Sequence, residues 1–274
     1  MRPILSLLAV LLVSVLPATA AADAASSALR FVWLDDFAAA EQVKLTAWIQ
    51  ETHAAAVRLT GPLPMPVRVY FHRRDGAREP VPWAHTQRSS TQGVHFHVDP
   101  RFPLEDFRRD WTAPHELSHL ILPYLGPRHA WFAEGFASYL QYAVMQSMGV
   151  LSADEARRRY RRKLERAERG YEHTHQPFVA AAPRLRAEGK YPVMYWGGAA
   201  YFMQVDQALA ERGSSLQSVL RDYLTCCRRD RDGLYSLLEE LDRLAGAAVF
   251  SERLEHFESA PGFPRYADVI PGGR

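Results

Sequence analysis

His115-Glu116-Leu117-Ser118-His119 decides how this chain is read. On a helix, residues four apart share a face and stand about 6 Å apart along the axis. Both imidazoles can then reach one cation. Glu116 sits beside the first of them, where its carboxylate meets a water next to the cation rather than the cation itself. Leu117, Leu120 and Ile121 supply apolar packing, as a buried active-site helix needs. Pro114 is tolerated only in a first turn, which predicts a helix start near Trp111 or Thr112.

Downstream, Trp131-Phe132-Ala133-Glu134-Gly135-Phe136-Ala137 places an acid on a second helix between two small residues. Small neighbours let that helix approach the first closely. Two nitrogens and one carboxylate oxygen leave a fourth position open, which is the donor set of a catalytic zinc, whereas a structural zinc closes all four. The reading is therefore one Zn²⁺ per chain, held by His115, His119 and Glu134. A third histidine in the H-E-x-x-H-x-x-G-x-x-H manner would need Gly at 122 and His at 125, and both positions are leucine. His129, in a loop flanked by Pro and Gly, reads as a surface histidine.

Working outward, residues 21–100 read as a β-containing lobe. Leu29 to Leu34 predicts a strand. Asp35 or Asp36 is expected to cap a helix to about Leu59, ended by Gly61 and the prolines behind it. Val67 to Phe71 and Gly93 to Val98 alternate as strands, with an Arg-, Pro- and Ser-rich loop between them. In the last strand His95 and His97 share one face and either line a groove or face solvent. From about residue 101 to 274 the pattern is helical. Ser152 with Glu155 signals a cap for an arginine-rich helix that ends at Gly170. Its arginines, interleaved with Glu165 and Glu168, read as a solvated face. The fold class is α+β, with the metal motif just past the join of the lobes, where a cleft would lie.

The first twenty residues read as a secretory leader. Arg2 precedes the apolar run Ile4 to Leu16, and Ala18-Thr19-Ala20 offers a small-x-small cleavage site near Ala20. That predicts an exported protein, periplasmic or secreted, with no stable membrane insertion after cleavage. The formal charge is +2, too balanced to suggest a nucleic-acid partner. Cys226 and Cys227 are the only cysteines. Adjacent cysteines within a helix cannot bridge without distorting it, so they read as two buried or idle thiols.

With these residues in view, the sequence resembles the gluzincin metallopeptidases of the peptidase MA-like superfamily, especially the glycyl and leucyl aminopeptidase branches. The H-E-x-x-H and the W-x-x-E-G-F-A segments carry the likeness, and Tyr195-Trp196-Gly197-Gly198-Ala199-Ala200 resembles their tyrosine-x-x-glycine-alanine stretch. The resemblance covers roughly residues 100 to 270. It implies a zincin-like, thermolysin-like catalytic domain acting on peptides or proteins, with Glu116 as general base and Tyr195 as the hydroxyl that stabilises the oxyanion, Tyr191 being the fallback. Two departures stand out. The loop between His119 and Glu134 is shorter than in those aminopeptidases, and no G-A-M-E-N-type segment precedes the zinc motif. That segment helps anchor a substrate's free amino terminus in the family, so its absence leaves endopeptidase and aminopeptidase action both open. The alternatives are a zinc amidohydrolase acting on a non-protein envelope amide and a non-catalytic zinc-containing binding protein.

Overall fold

A computed structural model describes residues 29–88, 92–228 and 233–271. The expected leader lies outside the described residues. Four strands form one small mixed sheet: Leu29–Trp33 (β1), Val67–Arg73 (β2), Trp83–Arg88 (β3) and Gln92–Val98 (β4), in the order β1-β2-β4-β3. The first pairings, β1 with β2 and β2 with β4, are parallel, and β3 runs antiparallel along the edge of β4. A parallel β1–β2 pair needs a crossover, and helix Ala39–Thr60 (α1) supplies it.

Alternation sets the two faces of the sheet. Val67, Val69, Phe71, Val94, Phe96 and Val98 are all buried on the inner face. There they meet Leu45, Trp48 and Ile49 of α1 in one core with Leu117 and Leu120. The Trp48 ring lies 5.2 Å from Phe96 and 5.1 Å from Phe107 of the short helix Leu104–Arg109 (α2). The outer face carries Tyr70, His72, Trp83, His85, His95 and His97 as a stack of rings, with His72 Nε2 3.0 Å from His95 Nδ1.

The metal motif lies on Thr112–Ser118 (α3), with Trp111 at its N-cap, so Pro114 falls in the first turn. Ala130–Ser147 (α4), Ala153–Arg169 (α5), Phe178–Ala187 (α6), Tyr191–Ala210 (α7), Leu216–Cys226 (α8), Leu234–Ala245 (α9) and Val249–Ser259 (α10) complete the chain. They share a second core centred on α4 and α7, where Trp131, Phe132, Phe136, Tyr201 and Phe202 are fully buried. No helix among the described residues is long and apolar enough to cross a membrane.

Several expectations need correction. Helix α1 begins at Ala39 and its N-cap is Ala38, because Asp35 instead accepts the Arg73 backbone N–H at 2.7 Å. The stretch read as a loop contains β3, so β4 is an interior strand and the free edge belongs to Trp83–Arg88. His95 and His97 lie on the outer face of the sheet, away from α3, and do not line the cleft. Helix α6 was not foreseen. Cys226 and Cys227 form a disulfide rather than two buried thiols. The bond is accommodated because Cys227 has left the helix, at φ −136. Cys226 is exposed, while Cys227 is partly buried and packs against the second core described above.

Candidate metal centre and active site

Helix α3 turns His115 and His119 onto one side, and α4 brings Glu134 across from them. Glu134 Oε2 lies 3.2 Å from His115 Nε2 and 3.3 Å from His119 Nε2. The two imidazoles are buried and perpendicular, with centroids 4.8 Å apart. These three residues offer one donor atom each within 4.8 Å of one another. His129 is outside this group.

The approach of α4 depends on glycine. A Cβ on Gly135 would fall 2.3 Å from the carbonyl carbon of Gly198 in α7, and one on Gly198 would fall 2.0 Å from the Trp131 oxygen. Backbone therefore packs on backbone where α4 crosses α7. This crossing fixes Glu134, one residue before Gly135, against Tyr195, one turn before Gly198.

Secondary contacts hold the donors. His115 Nδ1 is 3.0 Å from Gln141 Oε1, so the amide accepts from that nitrogen and leaves Nε2 as the lone-pair donor. Gln141, two turns beyond Glu134 on the same helix face, escaped the sequence reading; a polar residue seven positions after an expected ligand was the signal available. Thr86 on β3 donates its hydroxyl to the Glu116 carboxylate at 2.7 Å and lies 3.0 Å from the Glu116 carbonyl. Arg228, just past α8, donates Nε to the Ile121 carbonyl at 3.0 Å and lies near those of Leu120 and Leu122, closing the chain beyond α3.

Electrostatics suit a cation. Burial alone would raise the Glu134 carboxyl, but the neighbouring histidines hold it well below the usual range and ionised. Burial lowers His119, keeping it neutral. Burial also disfavours a charge on His115, yet the Glu134 carboxylate outweighs it and raises that group. A bound cation would displace this proton, as metal binding to imidazole does. Two neutral-capable imidazoles, one ionised carboxylate and an oriented ring fit zinc, and the donor set leaves room for a further ligand.

The cleft is about 660 Å³ and is lined by α3, α4, β3 and the start of α7. Tyr195 enters it beside His115, with ring centroids 6.0 Å apart. Burial and the Glu134 and Glu116 carboxylates push its phenol up, so it stays protonated and can donate. Tyr191 also lines the cleft but is 47% exposed, with its ring 6.4 Å from that of Tyr195.

No family model matches the sequence, and no curated protein matches it. Solved structures do. A mutant of a two-domain M1 zinc metallopeptidase bound to L-arginine is 14% identical, with a TM-score of 0.56 over 88% of this chain and 50% of its own. A mutant M1 zinc metallopeptidase from Deinococcus radiodurans bound to a Tyr-Ser-Ala substrate is 15% identical, with a TM-score of 0.52 over 87% and 50%. A further structure, of the M1 zinc metallopeptidase from that organism, is 14% identical, with a TM-score of 0.51 over the same shares. The chain thus spans half the length of these structures. At such identity the likeness concerns the fold alone, a mixed α and β arrangement.

Proposed function

We propose that this chain is a zinc-dependent peptidase in which His115, His119 and Glu134 hold the metal, Glu116 is the general base and Tyr195 the oxyanion donor. The observation that carries the reading is the convergence of two imidazole nitrogens on one Glu134 oxygen at the floor of a cleft that Glu116 and Tyr195 also line. A zinc ion held there supplies a Lewis acid and brings the pKa of a water from about 15.7 towards about 7.

The protein's own groups do the rest. Thr86 occupies one lone pair of the Glu116 carboxylate and fixes its orientation. Glu116 takes a proton from the water as its oxygen adds to the substrate carbonyl. It then gives that proton to the leaving nitrogen as the C–N bond breaks. The Tyr195 hydroxyl donates to the oxygen that gains charge, and losing one such donor typically costs about 3 kcal/mol of transition-state stabilisation. The free edge of β3 beside Glu116 offers backbone groups to an extended peptide, in the manner of strand addition. The chain is read as exported, with its leader removed near Ala20.

An envelope amidohydrolase uses the same chemistry and differs only in substrate. A non-catalytic zinc protein would have no use for Glu116 aimed into the cleft. The test is Glu116→Gln, which keeps its zinc and loses peptide turnover. Undiminished turnover in that variant would refute the mechanism, and a zinc-free wild-type protein would refute the centre.

A further inference from the structure

Strand β3 presents Ala84, Thr86 and Arg88 to the side on which α3 lies, since alternate residues share a face. Thr86 grips Glu116. Arg88, two residues on and about 7 Å along the strand, also lines the cleft. Its guanidinium lies over the Tyr124 ring, 5.4 Å from the centroid. Its Nε is buried and has no hydrogen-bond partner among the described residues. Burial works against its charge, while the Glu134 and Glu116 carboxylates favour it. Neither carboxylate pairs with it, because Glu134 is turned to the histidines and Glu116 to Thr86.

A guanidinium stays charged in proteins, and one that is desolvated without an anion is costly. Binding a divalent cation worsens its position. Glu134 and Glu116 bring two negative charges, the cation two positive, and Arg88 one more, which leaves this part of the cleft positive. Glu79 marks the opposite end of the strand, and Arg186 of α6 lines the cleft as well. Glu79 lines it near Trp83 and Trp111, and it lies close enough to Asp110 to help raise that carboxyl, which burial raises most. From Trp83 to Arg88 the strand covers about 17 Å. A peptide laid along β3 therefore runs from the Glu79 side to the Arg88 guanidinium beside Glu116.

We propose that Arg88 is an anion subsite and that this cleft selects substrates bearing a carboxylate near the bond to be cut. A planar fork of N–H donors matches a carboxylate with two parallel hydrogen bonds. The carboxylate belongs either to a substrate C-terminus or to an Asp or Glu side chain. This inference rests on the peptidase reading and adds to it the substrate class.

The test uses the zinc-loaded protein and quenched fluorescent pentapeptides made in pairs: Asp against Asn and Glu against Gln at each position, and a free against an amidated C-terminus. One pair type should show kcat/KM higher for the carboxylate by roughly 10- to 100-fold, the range for a charge-assisted bond to a desolvated group. Loss on amidation identifies the terminus as the source, and loss on the Asn or Gln exchange identifies a side chain. Arg88→Gln should bring that ratio close to one, chiefly through KM, and Arg88→Lys should restore part of it. Equal rates within every pair, or a preference that survives Arg88→Gln, would overturn the assignment. Calorimetry on Glu116→Gln separates this inference from the reading beneath it. Preferential binding of the carboxylate peptides without any wild-type cleavage keeps the subsite and removes the peptidase. Cleavage without preference removes the subsite alone. Neither cleavage nor binding removes both.

Discussion

Adding one methyl group at Gly198 tests how the centre is assembled. The Cβ of Gly198→Ala would stand 2.0 Å from the Trp131 oxygen and 3.0 Å from Gly135 Cα, whereas real Cβ contacts stay beyond 3.0 Å. Helices α4 and α7 must therefore separate by about 1 Å. The obstacle is backbone, so no rotamer change relieves it. Overpacking of this kind costs typically 1–3 kcal/mol, and occasionally more. Alanine's better helix propensity returns about 1 kcal/mol. Because backbone yields least, the upper part of the range applies, and the net is about 2 kcal/mol of lost stability. In a domain of this size that lowers the melting temperature by about 4–8 °C. The same shift moves Glu134 relative to Tyr195, and a misplacement of about 1 Å at a reacting centre can cost on the order of 100-fold in rate. Differential scanning calorimetry, zinc competition and peptide turnover measure the three effects. Gly233→Ala is the control, since its Cβ meets nothing within 4 Å. Should Gly198→Ala melt at or above the wild-type temperature with zinc affinity unchanged, the backbone-contact account of the site would be wrong.

Gln141→Leu removes the acceptor that orients His115. Zinc affinity is expected to fall by about 10- to 100-fold, read by competition with a chromophoric chelator, and unchanged affinity would deny Gln141 that role. The outer face of the sheet contributes to behaviour in acid. Burial, chiefly, together with neighbouring histidines, and Arg74 in the case of His97, pushes His95 and His97 down to about 4. Unfolded imidazoles titrate near 6.5. The folded state therefore binds fewer protons, and its stability is fully present above that value and drains away as pH falls from about 6.5 to 4. Denaturation series across that window check this, and replacing both histidines by Thr should flatten the slope.

The convergence of His115, His119 and Glu134 was legible because its constraints are local. Helical spacing ties His115 to His119, and the small residues around Glu134 announce a close crossing, although not that Gly198 is its partner. Pro114 set the start of α3 for a steric reason that holds in any fold. What escaped was set by tertiary pairing. Trp83 to Arg88 has no apolar alternation, because an edge strand over a polar cleft buries little on either side. Its pairing with β4 decides that it is a strand, and with it went Thr86 and Arg88. The same pairing decides between the two readings of His95 and His97 and puts both on the outer face. Asp35 and Asp36 look like helix caps, yet the β2 backbone competes for Asp35 and wins. The cysteine pair was misjudged because a helix was assumed to continue through Cys227.

His119 stands where its helix has already ended, and the carbonyls just after it are secured by Arg228, 107 residues further along in the case of Ile121. A chain made from its amino end thus emerges with His115, His119 and Glu134 long before the residue that clasps the backbone just after His119. On the zinc reading proposed above, ordered uptake of an ion would follow the docking of Arg228. Under the proposed function, turnover would begin only once the segment around Arg228 has docked beside α3.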